Sequence, residues 1–184
     1  MRAVDIYKPH KVTVLGSGWL LELPIAEIIE KTGEVSLIDI IHPPEVTTQA
    51  GNIRNIELIE SDLTGGLIEE VWNKISRHSI FSKPDSIESI IIPEFKPESD
   101  PGMIISLNLI TQLETMLVRF LKKMARISDE EMLKFRKTIQ NKHIDFISKY
   151  RSVLITDFEE IITKRSGEVN EVSTLLAEIP PFTD

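Results

Sequence analysis

The chain has 184 residues, 41% hydrophobic and 27% charged, with enough apolar content to bury a core and too much for a disordered tail. No apolar run approaches the roughly 18 uncharged residues of a membrane span, and the N-terminus MRAVDIYKPHKVTVLG carries charges where a secretory signal needs an apolar stretch. The absence of cysteine excludes disulfides, thiolate metal sites and a Cys nucleophile, and a net charge of -8 argues against a nucleic-acid partner. These bounds predict one acidic cytoplasmic domain over residues 1–184.

Lys11 to Leu15, KVTVL, is a short β-branched run that stops at Gly16-Ser17-Gly18. Trp19 to Lys31 gathers Leu20, Leu21, Leu23, Ile25, Ile28 and Ile29 on one side, the pattern of a helix packed on a sheet. Pro24 sets the start of its regular part and Gly33 its stop. Glu34 to Ile40, EVSLIDI, predicts a second strand, broken by His42-Pro43-Pro44. Weak helical character over Glu45–Ile53 precedes a third strand over Asn55–Glu60, which ends at Asp62-Leu63-Thr64-Gly65-Gly66. Leu67 to Ile75 reads as a helix. Strands alternating with helices imply a parallel, doubly wound sheet.

Prolines 84, 93, 97 and 101 break up residues 76–101, where Ile87–Ile92 reads as a strand or an edge segment. Gly102 to Asn108, GMIISLN, has the continuous apolar character of a buried parallel strand. Leu109 to Met124 repeats apolar residues at three- and four-residue spacing, and Ser128-Asp129-Glu130-Glu131 is a capping box opening a further helix to Tyr150. Ser152 to Asp157, SVLITD, predicts another buried strand. Glu160–Lys164 and Val169–Leu175 flank Ser166-Gly167 as a β-hairpin, before Pro180 and Pro181.

The sharpest local motif is VTVLGSGW: strand, Gly-x-Gly, helix. This layout holds a ligand above a sheet's carboxyl edge, where glycines admit close backbone approach and a helix offers free N–H groups. The full dinucleotide fingerprint needs a third glycine, where Leu21 stands, so a plain strand-to-helix turn is the competing reading. Asp39 lies 23 positions beyond Gly16 at the end of the second strand. Its carboxylate suits the vicinal diol of a ribose; a solvated or capping Asp is the alternative. Asp62-Leu63 suits an adenine amino group and ring face, against an Asx turn before Gly65. Ser106-Leu107-Asn108 brings polar groups to the same edge.

Together VTVLGSGWLLELP, VSLIDIIHPP, NIELIESDLTGG, GMIISLNLITQL and SVLITDFE resemble the Rossmann-like class I S-adenosylmethionine-dependent methyltransferase superfamily, in a poorly characterised bacterial branch. The resemblance runs from about Lys11 to Phe158. It implies an α/β/α sandwich with a mostly parallel sheet, a long helical insertion between strands four and five and a C-terminal β-hairpin. It implies S-adenosylmethionine as cofactor. Gly16, Ser17 and Gly18 would line its methionine part, Asp39 and Ile40 its ribose end, Asp62 and Leu63 its adenine, and Asn108 the strand-four motif near the reacting methyl group. The chain departs from the family at Val14, where an acidic residue is common, and at Leu20, where a third glycine would fall. About 27 residues follow Asp157, so the hairpin stands as an incomplete replacement for the family's closing strand pair, in a domain that is either naturally short or C-terminally incomplete.

His10, His42, His78 and His143 do not stand at ligand spacing, and no metal is expected. His42 is the best candidate for a base near the cofactor edge, weighed against a polar loop residue before two prolines. His143 reads as structural. Glu22 favours the helix dipole, or repels a methionine carboxylate. The apolar stripe over Leu109–Tyr150 reads first as core, then as a lid or homodimer face.

Three functions follow. The first is methyl transfer from S-adenosylmethionine to a small-molecule or protein acceptor that the sequence leaves unknown, along with the catalytic residues. The second is a non-catalytic binding or scaffold protein on the same fold. The third is a nicotinamide-dependent oxidoreductase, disfavoured by the missing third glycine and the lack of a Tyr-x-x-x-Lys pair after the first strand.

Overall fold

A computed structural model describes residues 1–20, 23–77, 83–167 and 169–180. Leu21, Glu22, His78 and Pro181 lie outside the described residues. The elements are α1 (Arg2–Tyr7), β1 (Lys11–Leu15), α2 (Ile25–Thr32), β2 (Glu34–Asp39), α3 (Pro44–Ala50), β3 (Ile56–Glu60), α4 (Leu67–Ile75), β4 (Met103–Leu107), α5 (Thr115–Met124), α6 (Asp129–Ile147), β5 (Ser152–Ile155), β6 (Glu159–Thr163) and β7 (Val169–Ser173). The protein is α/β, with a five-stranded sheet in the order β3-β2-β1-β4-β5 and every pairing parallel. β6 and β7 pair antiparallel in a separate two-stranded sheet. The chain divides into two compact units.

The first unit, Met1–Leu63 with Phe95–Leu109 and Phe146–Ile155, holds the parallel sheet. Parallel strands are joined by crossovers that cover their faces, so β1, β2 and β4 are buried nearly throughout. Alternate residues Val12, Val14, Val35, Leu37, Met103, Ile105 and Leu107 form one face and pack against Ile25 and Ile28 of α2. Each such aliphatic side chain contributes about 1.5–3 kcal/mol by burial. The intervening positions Thr13, Ser36 and Ser106 are buried too. Thr13 satisfies its hydroxyl by donating to Pro101 O at 2.7 Å, and Ser36 donates to Glu57 Oε2 at 3.2 Å.

The proline in the first helix marks its boundary. Pro24 is the N-cap residue, its carbonyl accepting from Ile28 N–H at 3.0 Å, and Gly33 ends the helix by donating to Ile29 O at 3.0 Å. α1 escapes a periodicity search because six residues with one buried side chain, Val4, span less than two turns.

The second unit, Thr64–Glu94 with Ile110–Asp145 and Thr156–Asp184, is built on α4, α5 and α6. Leu67, Val71 and Ile75 form the buried stripe of α4. They join Leu117 and Leu121 of α5 and Met132, Phe135 and Ile139 of α6. Ser128 caps α6, its hydroxyl accepting from Glu131 N–H at 3.1 Å.

The expectation of a strand over Ile87–Ile92 is corrected: the segment has no ladder partner among the described residues. Ile90 N–H closes a turn on Ile87 O at 2.9 Å, so the buried pair Ile87 and Ile90 is spaced by a turn rather than by strand alternation. Helix side chains supply the missing partners. The Glu131 carboxylate accepts from Ile87 N–H at 2.7 Å and from the Ser86 hydroxyl at 2.8 Å. Glu70 accepts from Ile91 N–H at 3.5 Å, and the Lys74 ammonium donates to Ser89 O. The capping-box glutamate is thus spent on this strap and not on its own N-cap.

Candidate functional site

Because β1 to β4 are parallel, their carboxyl ends lie on one edge of the sheet. Gly16–Gly18 follow β1, Asp39 ends β2 with Ile40–His42 after it, Asp62 and Leu63 follow β3, and Asn108 follows β4. The chain runs from β1 to β2 and β3 on one side and returns to β4 and β5 on the other. The crevice at such a reversal of direction is where open α/β sheets hold ligands.

The two glycines serve different ends. Gly16 has φ +74°, and a Cβ there would lie 2.9 Å from Leu107 O and 3.0 Å from Leu109 Cβ. Its bare backbone is required by the approach of the chain after β4. Gly18 has φ +49°, and among the described residues its Cβ would meet nothing nearer than Gly16 O at 4.0 Å. Substitution at Gly18 would fill open space beside the loop. Gly16 N–H and Ser17 N–H both donate to Ile38 O, at 2.9 and 3.4 Å, which fastens the loop to β2.

Leu20 has φ +57°. This left-handed conformation costs a branched side chain roughly 1–2 kcal/mol, and it occurs where the resemblance would place a third glycine. The backbone therefore has a glycine-like turn although the side chain departs from the pattern. The sequence places Leu20 on the apolar side of the first helix and marks it as a departure from the glycine pattern, with no signal for this conformation.

Asp39 bridges the loops. Its Oδ2 accepts from Gly18 N–H at 2.8 Å and its Oδ1 from Ile40 N–H at 2.7 Å. A carboxylate offers about four lone-pair positions, so each oxygen keeps one acceptor position. The arrangement can take two further donors side by side, the requirement of a vicinal diol. Ile40 beside it is half exposed, and Trp19 is 58% exposed.

Among the described residues, two buried polar side chains at this edge have no hydrogen-bond partner. Ser17 is 1% exposed with an unpartnered hydroxyl, and His42 is 7% exposed with both ring nitrogens unpartnered. An orphaned buried polar group costs about 1–3 kcal/mol, so such groups point to a missing partner, a ligand or a water. His42 is anchored through its backbone, N–H donating to Glu60 Oε1 at 3.1 Å. Glu60 was missed in the sequence; its place at the end of β3, opposite Asp39 in register, was the available signal.

The remaining predicted residues stand at the same edge in less open settings. Leu63 is buried and Asp62 half-buried. Asn108 takes a left-handed φ of +46°, and its N–H donates to Ile155 O at 2.8 Å. A left-handed asparagine is common at tight turns. Among the described residues no group of three or more His, Asp or Glu is arranged to hold a metal ion, and no helix is long and apolar enough to cross a membrane. Comparison of the chain with protein-family models, with curated proteins and with solved structures returns no match.

Proposed function

We propose that the carboxyl edge of the parallel sheet binds S-adenosylmethionine and that the protein is a methyltransferase for a small-molecule or protein acceptor, on a Rossmann-like doubly wound fold with residues 109–150 inserted between strands four and five. The observation that carries this reading is the Asp39 carboxylate. It holds the glycine loop through Gly18 N–H and retains two adjacent acceptor positions. The groups present fit a nucleoside with a polar amino-acid tail. Asp39 would take the ribose hydroxyls, half-exposed Ile40 would cover one face of the adenine, and Asp62 and Leu63 would bound its rim. The open space at Gly18 and the orphaned Ser17 hydroxyl suit the polar tail. When bound, the cofactor supplies an electrophilic methyl group on a sulfonium. The chain's own contribution is proximity and orientation. His42, buried with both nitrogens unpartnered, is the group available to accept a proton from an acceptor that must lose one.

A non-catalytic binding protein on the same fold is the second reading, and Gly16 favours it. Contact with Leu107 and Leu109 accounts for that glycine without a ligand. Calorimetric titration of S-adenosylhomocysteine, with NADH as control, separates the two. Micromolar binding that weakens at least about tenfold in Asp39→Asn supports the cofactor site. An NADH response alone points to an oxidoreductase. Folded wild-type protein that gives heat with neither ligand sinks the methyltransferase reading and favours the scaffold.

A further inference from the structure

The hairpin β6–β7 stands as a two-stranded sheet, and every residue of β6 is exposed. Exposure reaches 63% at Ile161 and 68% at the preceding Phe158; Ile162, Val169 and Val172 are exposed as well. A lone two-stranded ribbon is at best marginally stable in water. An exposed apolar edge strand is also a template for pairing unless prolines, bulges or inward charges blunt it. β6 reads EEIIT: it has no proline and an unbroken register, and its only charges are Glu159 and Glu160 at one end.

The backbone fixes which groups are offered. Thr174 N–H donates to Phe158 O at 3.0 Å, continuing the register Glu159↔Ser173. Hydrogen-bonded and non-hydrogen-bonded pairs alternate along an antiparallel ladder. Glu159, Ile161 and Thr163 therefore turn their N–H and C=O groups to the free edge.

The sequence around that edge is complementary to itself. Residues 159–165 read EEIITKR, with Ile162 at the centre, two acids before it and two bases after. If two copies of β6 pair antiparallel about Ile162, Ile161 faces Thr163 of the other copy in a hydrogen-bonded pair, as the outward groups require. Ile162 faces Ile162. Glu160 then faces Lys164, and Glu159 faces Arg165. A parallel pairing would set acid against acid and base against base.

We propose that β6 is a homodimerisation edge. Two copies of the chain pair antiparallel about Ile162 into a four-stranded sheet β7-β6-β6-β7, and the Glu159/Glu160 and Lys164/Arg165 charges set direction and register. Such an interface is small, which places it among weak, concentration-dependent associations. Its charge pairs are exposed and are weakened by salt.

The test is sedimentation equilibrium of the full chain up to about 100 µM, where associations of this size are populated. Wild type is expected to shift from 20.9 kDa toward twice that mass. Glu159→Lys/Glu160→Lys and Lys164→Glu/Arg165→Glu should each stay monomeric, while their equimolar mixture dimerises, since every facing pair is then of opposite sign. Ile161→Pro removes an outward N–H that the hairpin does not use and should abolish association with the circular dichroism spectrum unchanged. A wild type that stays monomeric overturns the proposal. So does a dimer that survives in both charge variants and in Ile161→Pro, which would place the interface elsewhere.

Discussion

The Gly18 N–H donates to Asp39 Oδ2 at 2.8 Å, joining the loop after β1 to the end of β2 across 21 residues of sequence. The same carboxylate takes Ile40 N–H on its other oxygen. One side chain thus shapes the glycine loop and presents the acceptor edge of the candidate pocket. Hydrogen bonds from backbone N–H groups to a charged acceptor are worth about 1.5–3 kcal/mol each.

Asp39→Asn tests that double use. The amide keeps the volume but turns a donor toward one of two N–H groups, so one bond becomes a repulsion. The expected loss is about 2 kcal/mol of stability, read by urea unfolding, together with at least about tenfold weaker binding of S-adenosylhomocysteine. An Asn variant as stable as wild type would show that the Gly18 bond does not hold the loop.

The two loop glycines should separate stability from binding. Gly16→Ala drives a Cβ to within 2.9 Å of Leu107 O at a φ of +74°, with backbone on one side and a packed Leu109 on the other. A loss of about 2–4 kcal/mol is expected, from left-handed strain plus the clash. Gly18→Ala meets open space among the described residues, which leaves the conformational cost of about 1 kcal/mol. Its Cβ fills the space assigned to the ligand, and the binding loss should exceed the stability loss. Thermal unfolding and calorimetry on the two variants check both halves. Equal destabilisation would contradict the packing assigned to Gly16.

Much of the fold was legible because local pattern and tertiary role coincide. KVTVL, EVSLID and MIISL are buried almost end to end, with only small polar residues, Thr13, Ser36 and Ser106, inside them, because parallel strands are covered on both faces. Leu67, Val71 and Ile75 recur every four residues because one stripe of α4 is buried. The failures come where the pattern is ambiguous or the cause is distant. Ile87, Ile90 and Ile92 suggest a strand by composition, but a turn sets their spacing and Glu131, remote in sequence, supplies the hydrogen bond. At the site, residue types and spacing singled out Gly16, Gly18 and Asp39. They could not reveal that Asp39 bonds Gly18, that Leu20 is left-handed, or that His42 is buried: each depends on a fold that brings separated loops together.

Two buried groups of the second unit set opposite pH trends. Burial pushes the His143 imidazole down from 6.5 to about 4. The unfolded chain binds a proton from about pH 6.5 downward while the folded protein refuses it until near 4. Stability from this group is present above pH 6.5 and lost as pH falls toward 4, up to about 3 kcal/mol. Burial instead raises the Glu114 carboxyl above its ordinary value of 4.5, against the pull of Gln140 and Arg136. Its contribution is complete below pH 4.5 and declines as pH rises through the folded value. Urea unfolding between pH 4 and 8 should therefore show His143→Leu closing on, or passing, wild type toward pH 4. Glu114→Gln should gain on wild type as pH rises from 4.5. Parallel profiles for wild type and His143→Leu would contradict the burial assigned to that imidazole.

Gln140 gives the sharpest test of how the segment after β7 is held. It is fully buried on α6, and its amide is used at both ends. Nε2 donates to Glu114 Oε1 at 3.0 Å and Thr174 O at 2.9 Å; Oε1 accepts from Leu176 N–H at 2.6 Å and Ala177 N–H at 3.1 Å. Asn141 Oδ1 continues the row by accepting from Glu178 N–H at 3.2 Å. The helix thus supplies side-chain groups where a neighbouring strand would supply backbone ones. Gln140→Leu fills the same space but strands the Leu176 and Ala177 N–H groups and leaves Thr174 O without this donor, while Glu114 Oε1 keeps Arg136 Nε at 3.3 Å. The expected loss is about 2–4 kcal/mol, with faster proteolysis in the segment 174–178 than in the helices. Gln140→Glu should retain the two accepted bonds, lose the two donated ones and set a carboxylate against Glu114. Its deficit should therefore grow with pH as both acids ionise, whereas that of Gln140→Leu should not. Limited proteolysis at pH 5 and pH 8 separates the two variants. Identical cleavage rates at both pH values in Gln140→Glu would show that Glu114 and Gln140 are not coupled in solution.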